Sequence, residues 1–152
     1  MKKLRNEMTL LFWSRSANES FSRSAAASFF SQLDPTVEEL ADIKTAVSEA
    51  VTNCIVHAYR HNLGKIRMTA RIYEDSEIYI QIKDYGCGIP DIAQAMEPLF
   101  TTCETGERAG LGFAVMQSFM DKVTVRSTPG KGTTVTLRKT LSSRTTDETD
   151  DR

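Results

Sequence analysis

The sequence predicts an α+β fold, a two-layer α/β sandwich with helices on one face of a mixed, mostly antiparallel sheet. Three observations carry that expectation. A long segment, Ile43 to Arg60, repeats its apolar residues at helical spacing, with Ile43, Ala46, Val47, Ala50, Val51, Cys54, Ile55 and Ala58 on one arc. Two later segments alternate instead: Lys65 to Glu74 sets Ile66, Met68, Ala70 and Ile72 on one side, and Glu77 to Lys83 does the same with Ile78, Ile80 and Ile82. Along the chain the order is strand, two helices, two strands, loop, helix, two strands, which supplies one helical layer for one sheet.

Met8 to Ser14 reads as the first strand, although Leu10 to Trp13 run apolar without alternating. Ser16-Ala-Asn-Glu19 has the form of a capping box and opens a helix to about Leu33. On it Phe21, Ala25, Ala26 and Phe29 are expected inward, and Arg23 exposed. Asp34-Pro35 ends it. Thr36-Val-Glu-Glu39 is a second capping box and opens the long helix, which His61-Asn-Leu-Gly64 closes. Asp75-Ser76 is a tight hairpin turn between the next two strands. Asp84-Tyr-Gly86-Cys-Gly88-Ile-Pro90 is a glycine-rich break directly after a strand, and Asp91 caps a short helix through Met96. Pro98 to Ala109 lacks periodicity and suits a mobile loop. Gly110-Leu-Gly112 opens a helix to about Met120, and the strands Lys122–Ser127 and Thr133–Thr140 flank a turn. After Leu141 the chain turns polar and acidic, so one domain over 1–141 and a disordered tail over 142–152 are expected.

Composition narrows the function classes. With 152 residues, 40% hydrophobic and 26% charged, the chain suits a globular domain that buries a core. Lys+Arg number 19 against 20 Asp+Glu, which gives no electrostatic footprint for direct nucleic-acid binding. The apolar run Leu10–Trp13 is too short for a signal peptide or a membrane span. Cys54, Cys87 and Cys103 have no metal spacing, and a cytoplasmic setting is expected.

Glu49, Asn53 and His57 follow at i, i+4 and i+8 along the edge of the long helix. Such a row suits an ordinary polar flank, and the glycine motifs decide otherwise. A carboxylate just past a strand, Asp84, can accept from an exocyclic amine such as that of adenine. Gly86 and Gly88 let backbone approach a flat ring. Gly110 and Gly112 at a helix start turn N–H groups toward phosphates. The Asn53 amide oxygen is a hard ligand suited to Mg²⁺, and Glu49 can take a proton from a nucleophile attacking a γ-phosphate. His57 has no nucleophile to pair with and reads as a helix-face residue.

Together, Glu49-Ala-Val-Thr-Asn53, Asp84-Tyr-Gly-Cys-Gly88, Gly110-Leu-Gly112 and Gly132-Thr-Thr134 resemble the N box, two glycine boxes and late threonine of the GHKL superfamily of ATPases and kinases. No GxxxxGK(S/T) P-loop is present. The resemblance spans about residues 8 to 140. It implies the Bergerat ATP-binding fold, with ATP between the N-box helix and a flexible lid. Further stretches, among them Arg5-Asn-Glu-Met8, Ser16-Ala-Asn-Glu-Ser-Phe21 and Pro98-Leu-Phe-Thr-Thr102, resemble the bacterial anti-sigma serine kinases within that superfamily, the sporulation branch in particular.

What that resemblance implies is specific. The protein would be an ATP- and Mg²⁺-dependent serine/threonine kinase, a homodimer that silences a sporulation sigma factor and phosphorylates a serine of an anti-anti-sigma factor. Glu49 would be the general base and Asn53 the Mg²⁺ ligand. Asp84, Gly86, Gly88, Ile89 and Thr133 would hold adenine, with Thr101, Thr102, Gly110, Leu111 and Gly112 near the phosphates. Arg23 would contact the partner. Two positions depart from the pattern: Ala58 stands where glycine is frequent, and Cys103 where lysine is expected, which leaves Arg108 to supply the lid's positive charge. Alternatives are a general stress-response kinase, an ATP-gated sigma clamp without turnover, and a detached ATP-binding domain of a histidine kinase, from which the expected lack of an upstream histidine-bearing module separates it.

Overall fold

The computed structural model describes residues 2–96 and 112–142. Five strands, β1 (Leu4–Trp13), β2 (Lys65–Tyr73), β3 (Glu77–Asp84), β4 (Lys122–Thr128) and β5 (Gly132–Thr140), form one sheet in the order β1-β2-β3-β5-β4. Every pairing is antiparallel, so the sheet is not mixed as the element order allowed. The reason is local. Short turns join β2 to β3 and β4 to β5, and β5 rather than β4 lies against β3, so the long crossover creates no parallel pair. Tyr73 pairs with Glu77, so three residues, Glu74–Ser76, join β2 to β3, and within them both Asp75 and Ser76 take positive φ, 64° and 58°.

Alternation sets the core. Met68 pairs with Ile82 and Ala70 with Ile80, while Ile80 and Ile82 pair onward with Leu137 and Val135. All of these are buried under the helices α1 (Ala17–Phe30), α2 (Val37–Asn53) and α4 (Phe113–Phe119); a short α3 spans Ile92–Ala95. The helices contribute Phe30, Ile43, Val47, Val51, Phe113 and Met116, each side chain adding roughly 1.5–3 kcal/mol by leaving water. On the opposite face Tyr79 is also buried, because the guanidinium groups of Arg71 and Arg138 lie 5.1 and 4.8 Å from its ring centroid.

Three helical expectations change. The Ser16–Glu19 capping box does not form: Ser16 makes no side-chain cap, and Glu19 turns instead to Arg23 and Ser48. Phe21 is about half exposed and meets Phe12 edge to face at 6.2 Å. The buried face of α1 is Ser22, Ala26, Ala27 and Phe30, since Phe30 takes the core position and rotates Phe21 outward. Finally, the long helix is α-helical only to Asn53. Cys54–Ala58 is a π turn, with the Tyr59 N–H donating to the Cys54 carbonyl at 3.0 Å, and it carries His57 from the expected helix face into the interior. The second capping box does form, with Thr36 Oγ1 accepting from the Glu39 N–H at 3.0 Å and Glu39 Oε1 from the Thr36 N–H at 2.9 Å.

Candidate active site

The inward rows of three neighbouring strands change from apolar to polar at one end of the sheet. On β3 the row Ile78, Ile80, Ile82 ends in Asp84; on β5 the row Leu137, Val135 ends in Thr133; on β4 the row Val123, Val125 ends in Ser127. Alternate residues share a face, so a carboxylate and two hydroxyls stand side by side under the helices. On α2, Asn53 follows Ala50 and Val51 on the buried face. The cleft between is walled by Ala50, Cys54, Ala58, Ile89, Phe113 and Val135.

Asp84 Oδ1 accepts from the N–H groups of Gly86 at 3.0 Å and Thr133 at 3.2 Å. Thr133 Oγ1 and Ser127 Oγ lie 2.9 Å apart, and Ser127 Oγ accepts from the Ile89 N–H at 2.7 Å. Burial pushes the Asp84 carboxyl above the ordinary aspartate range, and the two N–H bonds and the neighbouring Cys54 thiol only partly offset this. Burial and the Asp84 charge in turn hold the Cys54 thiol well above its ordinary value, so it stays protonated. An apolar slot ending in a fixed acceptor suits a flat ring with an exocyclic amine.

The glycines at this end lie against backbone. A Cβ on Gly86 would stand 2.4 Å from the Ala58 carbonyl oxygen, one on Gly88 2.4 Å from the Thr128 oxygen, and one on Gly132 2.2 Å from the Asp84 oxygen. They let backbone close on backbone. Ala58, the departure noted above, is accommodated because Gly86 faces it without a side chain.

At the other end Asn53 is 8% exposed, and neither its Oδ1 nor its Nδ2 has a hydrogen-bond partner. An amide left so costs about 1–3 kcal/mol. One turn earlier, Glu49 brings its carboxylate against Gly112, where a Cβ would come within 2.2 Å of Oε1. Gly112 also has φ +74° as the N-cap of α4, so both backbone and space require glycine there. The orphaned amide oxygen fits a Mg²⁺ ligand, and a carboxylate one helical turn earlier fits a base.

The structure thus brings together Glu49, Asn53, Asp84, Gly86, Gly88, Ile89, Gly112 and Thr133. Thr101, Thr102, Cys103, Arg108, Gly110 and Leu111 lie outside the described residues. Arg23 is not the free, exposed group expected: its Nη1 donates to Glu19 Oε2 at 2.8 Å and Ser48 Oγ at 3.1 Å, across the α1–α2 seam. Sequence reasoning missed Ser127, Cys54 and Tyr59. The Tyr59 hydroxyl donates to the Lys65 carbonyl at 2.6 Å and accepts from the Tyr85 N–H at 2.7 Å, tying the π turn to both strands. The parity of Val123, Val125 and Ser127 could have found Ser127; no local pattern announces the π turn that sets Tyr59.

Residues 12–139 match the family model of the histidine kinase-like ATPase domain. The chain is 59% identical over 134 residues to the anti-sigma F factor of Caldanaerobacter subterraneus subsp. tengcongensis, covering 88% of this chain and 93% of that protein. It is 51% identical over 140 residues to the anti-sigma F factor of Bacillus subtilis, covering 91% and 95%. Among solved structures the fold resembles the RsbU and RsbW domains of a Mycobacterium tuberculosis protein, with TM-score 0.68, 18% identity, and 91% of this chain on 33% of that one. It also resembles the catalytic domain of the histidine kinase ThkA, with TM-score 0.55, 16% identity and coverage of 88% and 96%. No described helix is long and apolar enough to cross a membrane. The chain belongs to the anti-sigma F factors, an ATP-using family built on the histidine kinase-like ATPase domain.

Proposed function

We propose that this chain binds ATP with Mg²⁺ in the cleft and transfers the γ-phosphoryl group to a serine of an anti-anti-sigma factor. In its nucleotide-bound form, as a homodimer in the cytoplasm, it holds and silences sigma-F, without touching nucleic acid or membrane. The observation that carries the reading is Asn53: a buried amide without a partner, one helical turn from Glu49 and in the same cleft as Asp84.

Asp84, backed by Thr133 and Ser127, accepts from the adenine amine, and Ile89 and Val135 pack the ring. Asn53 Oδ1 would hold Mg²⁺, whose part is to neutralise charge along the phosphates. Glu49 orients the serine hydroxyl and takes its proton as the oxygen attacks phosphorus. Thr101, Thr102, Gly110, Leu111 and Arg108 are assigned to the phosphates from their motif positions. Partner contact is assigned to Arg23, which must exchange its internal acceptors for those of a partner. The sigma-F assignment follows the name of relatives at 50–59% identity.

The test is transfer of label from γ-labelled ATP to a purified anti-anti-sigma protein, with the modified residue identified by mass spectrometry. Phosphoserine on that partner is the expected result. Label that stays in ATP while sigma-F is still retained would replace the kinase by an ATP-gated clamp.

A further inference from the structure

We infer that Arg60 is a nucleotide-binding residue, and that it contacts the base rather than the phosphates. This rests on the reading of the cleft as a nucleotide site. Arg60 directly follows the π turn and its brace Tyr59, and its φ is +45°, a left-handed conformation that a side chain bearing a Cβ adopts at a cost. It is exposed and lines the cleft, as do Pro90 and Asp91. Its guanidinium makes no hydrogen bond or ion pair with the described residues. Tyr59 anchors this backbone to Lys65 and Tyr85, so Arg60 is held at the rim by its neighbours and not by its own side chain.

Position along the helix decides which part of the ligand it meets. Glu49 and Asn53 mark the phosphate end. Cys54 and Asp84 follow at the amine-binding end, and Ala58 packs on Gly86 beyond them. Arg60 comes two residues after Ala58 along the same run and lines the cleft. A planar cation at the mouth of a slot for a flat ring is suited to lie on the ring's π face.

The experiment is calorimetric titration of ATP and ADP into the parent, Arg60→Ala and Arg60→Gly proteins at low and high salt. Gly is compatible with the left-handed backbone, so that variant folds at least as well as the parent. Both variants should lose about two- to fivefold in affinity, by the same factor for ATP and ADP and at both salts, as a cation on a ring would give. Unchanged affinity in both variants overturns the inference. So does a loss larger for ATP than for ADP that shrinks with salt, which would put Arg60 on the phosphates. A parent protein that binds neither nucleotide would instead overturn the reading of the cleft.

Discussion

The two ends of the cleft differ in how far the fold satisfies its own polar groups. At the Asp84 end, one carboxylate oxygen takes two backbone N–H groups, and the hydroxyls of Thr133 and Ser127 are joined to each other and to Ile89. At the Asn53 end, both polar atoms of a buried amide are left without partners. The first end is assembled before any ligand arrives, so recognition there needs little ordering of the protein. The second carries a polar debt of about 1–3 kcal/mol that a cation and its phosphates would settle. On the proposed function, the contrast separates recognition from chemistry along one helix and the strand ends beneath it.

The severest way to break the assembled end is Gly86→Ala. The new Cβ would meet backbone, the Ala58 carbonyl at 2.4 Å, which cannot rotate aside. We expect a loss of roughly 1–3 kcal/mol in unfolding free energy and a clear fall in ADP affinity, measured by denaturant titration and calorimetry. Undiminished affinity would show that the closure of this loop on Ala58 does not shape the base site.

A gentler change is protonation of Asp84. Burial raises its folded pKa, so the ionised carboxylate detracts from stability once pH exceeds the unfolded value, and that penalty is relieved as pH falls through the folded value. Binding has the opposite dependence, because a protonated carboxyl no longer accepts from an amine at both oxygens. ADP affinity should therefore fall on acidification at a pH above the ordinary aspartate range. Asp84→Asn should bind weakly at every pH, with that dependence gone and the fold kept. A parallel pH profile in the mutant would move the titrating group elsewhere.

Most of the fold was legible from period and spacing, and the motifs marked the residues that the structure gathers at the cleft. Alternation placed Ile78 to Ile82 correctly and carries Asp84 onto the same face; helical spacing placed Ile43 through Cys54. What escaped has a physical reason. The π turn is tied by Tyr59 to Lys65 and Tyr85, contacts remote in sequence, so a plain helical row could not show that His57 is buried and lines the cleft with Asn53. The Ser16 box failed because Glu19 found stronger charged and hydroxyl partners in Arg23 and Ser48 than an exposed N-terminus offers. For the same reason Arg23 is tethered rather than free. The glycine motifs were visible in the sequence, but that Gly86 and Gly88 also let backbone close on backbone is revealed only by their three-dimensional neighbours.

The smallest expected effect lies outside the cleft. Thr36→Ala removes the capping box of α2 and should cost about 1 kcal/mol, with nucleotide affinity unaltered. A large change in affinity would mean that the whole length of α2, and not its last two turns, positions the site.

The division between the ends is tested most directly by comparing Glu49→Gln with Asn53→Ala on the same preparations, reading Mg·ATP affinity, phosphoryl transfer and sigma-F retention together. Glu49→Gln should keep nucleotide affinity and sigma-F retention while transfer falls by roughly two to four orders of magnitude. Asn53→Ala should lose all three, yet unfold no more easily without ligand, since it removes the amide that has no partner. A Glu49→Gln protein that phosphorylates its partner at the parent rate would contradict the account.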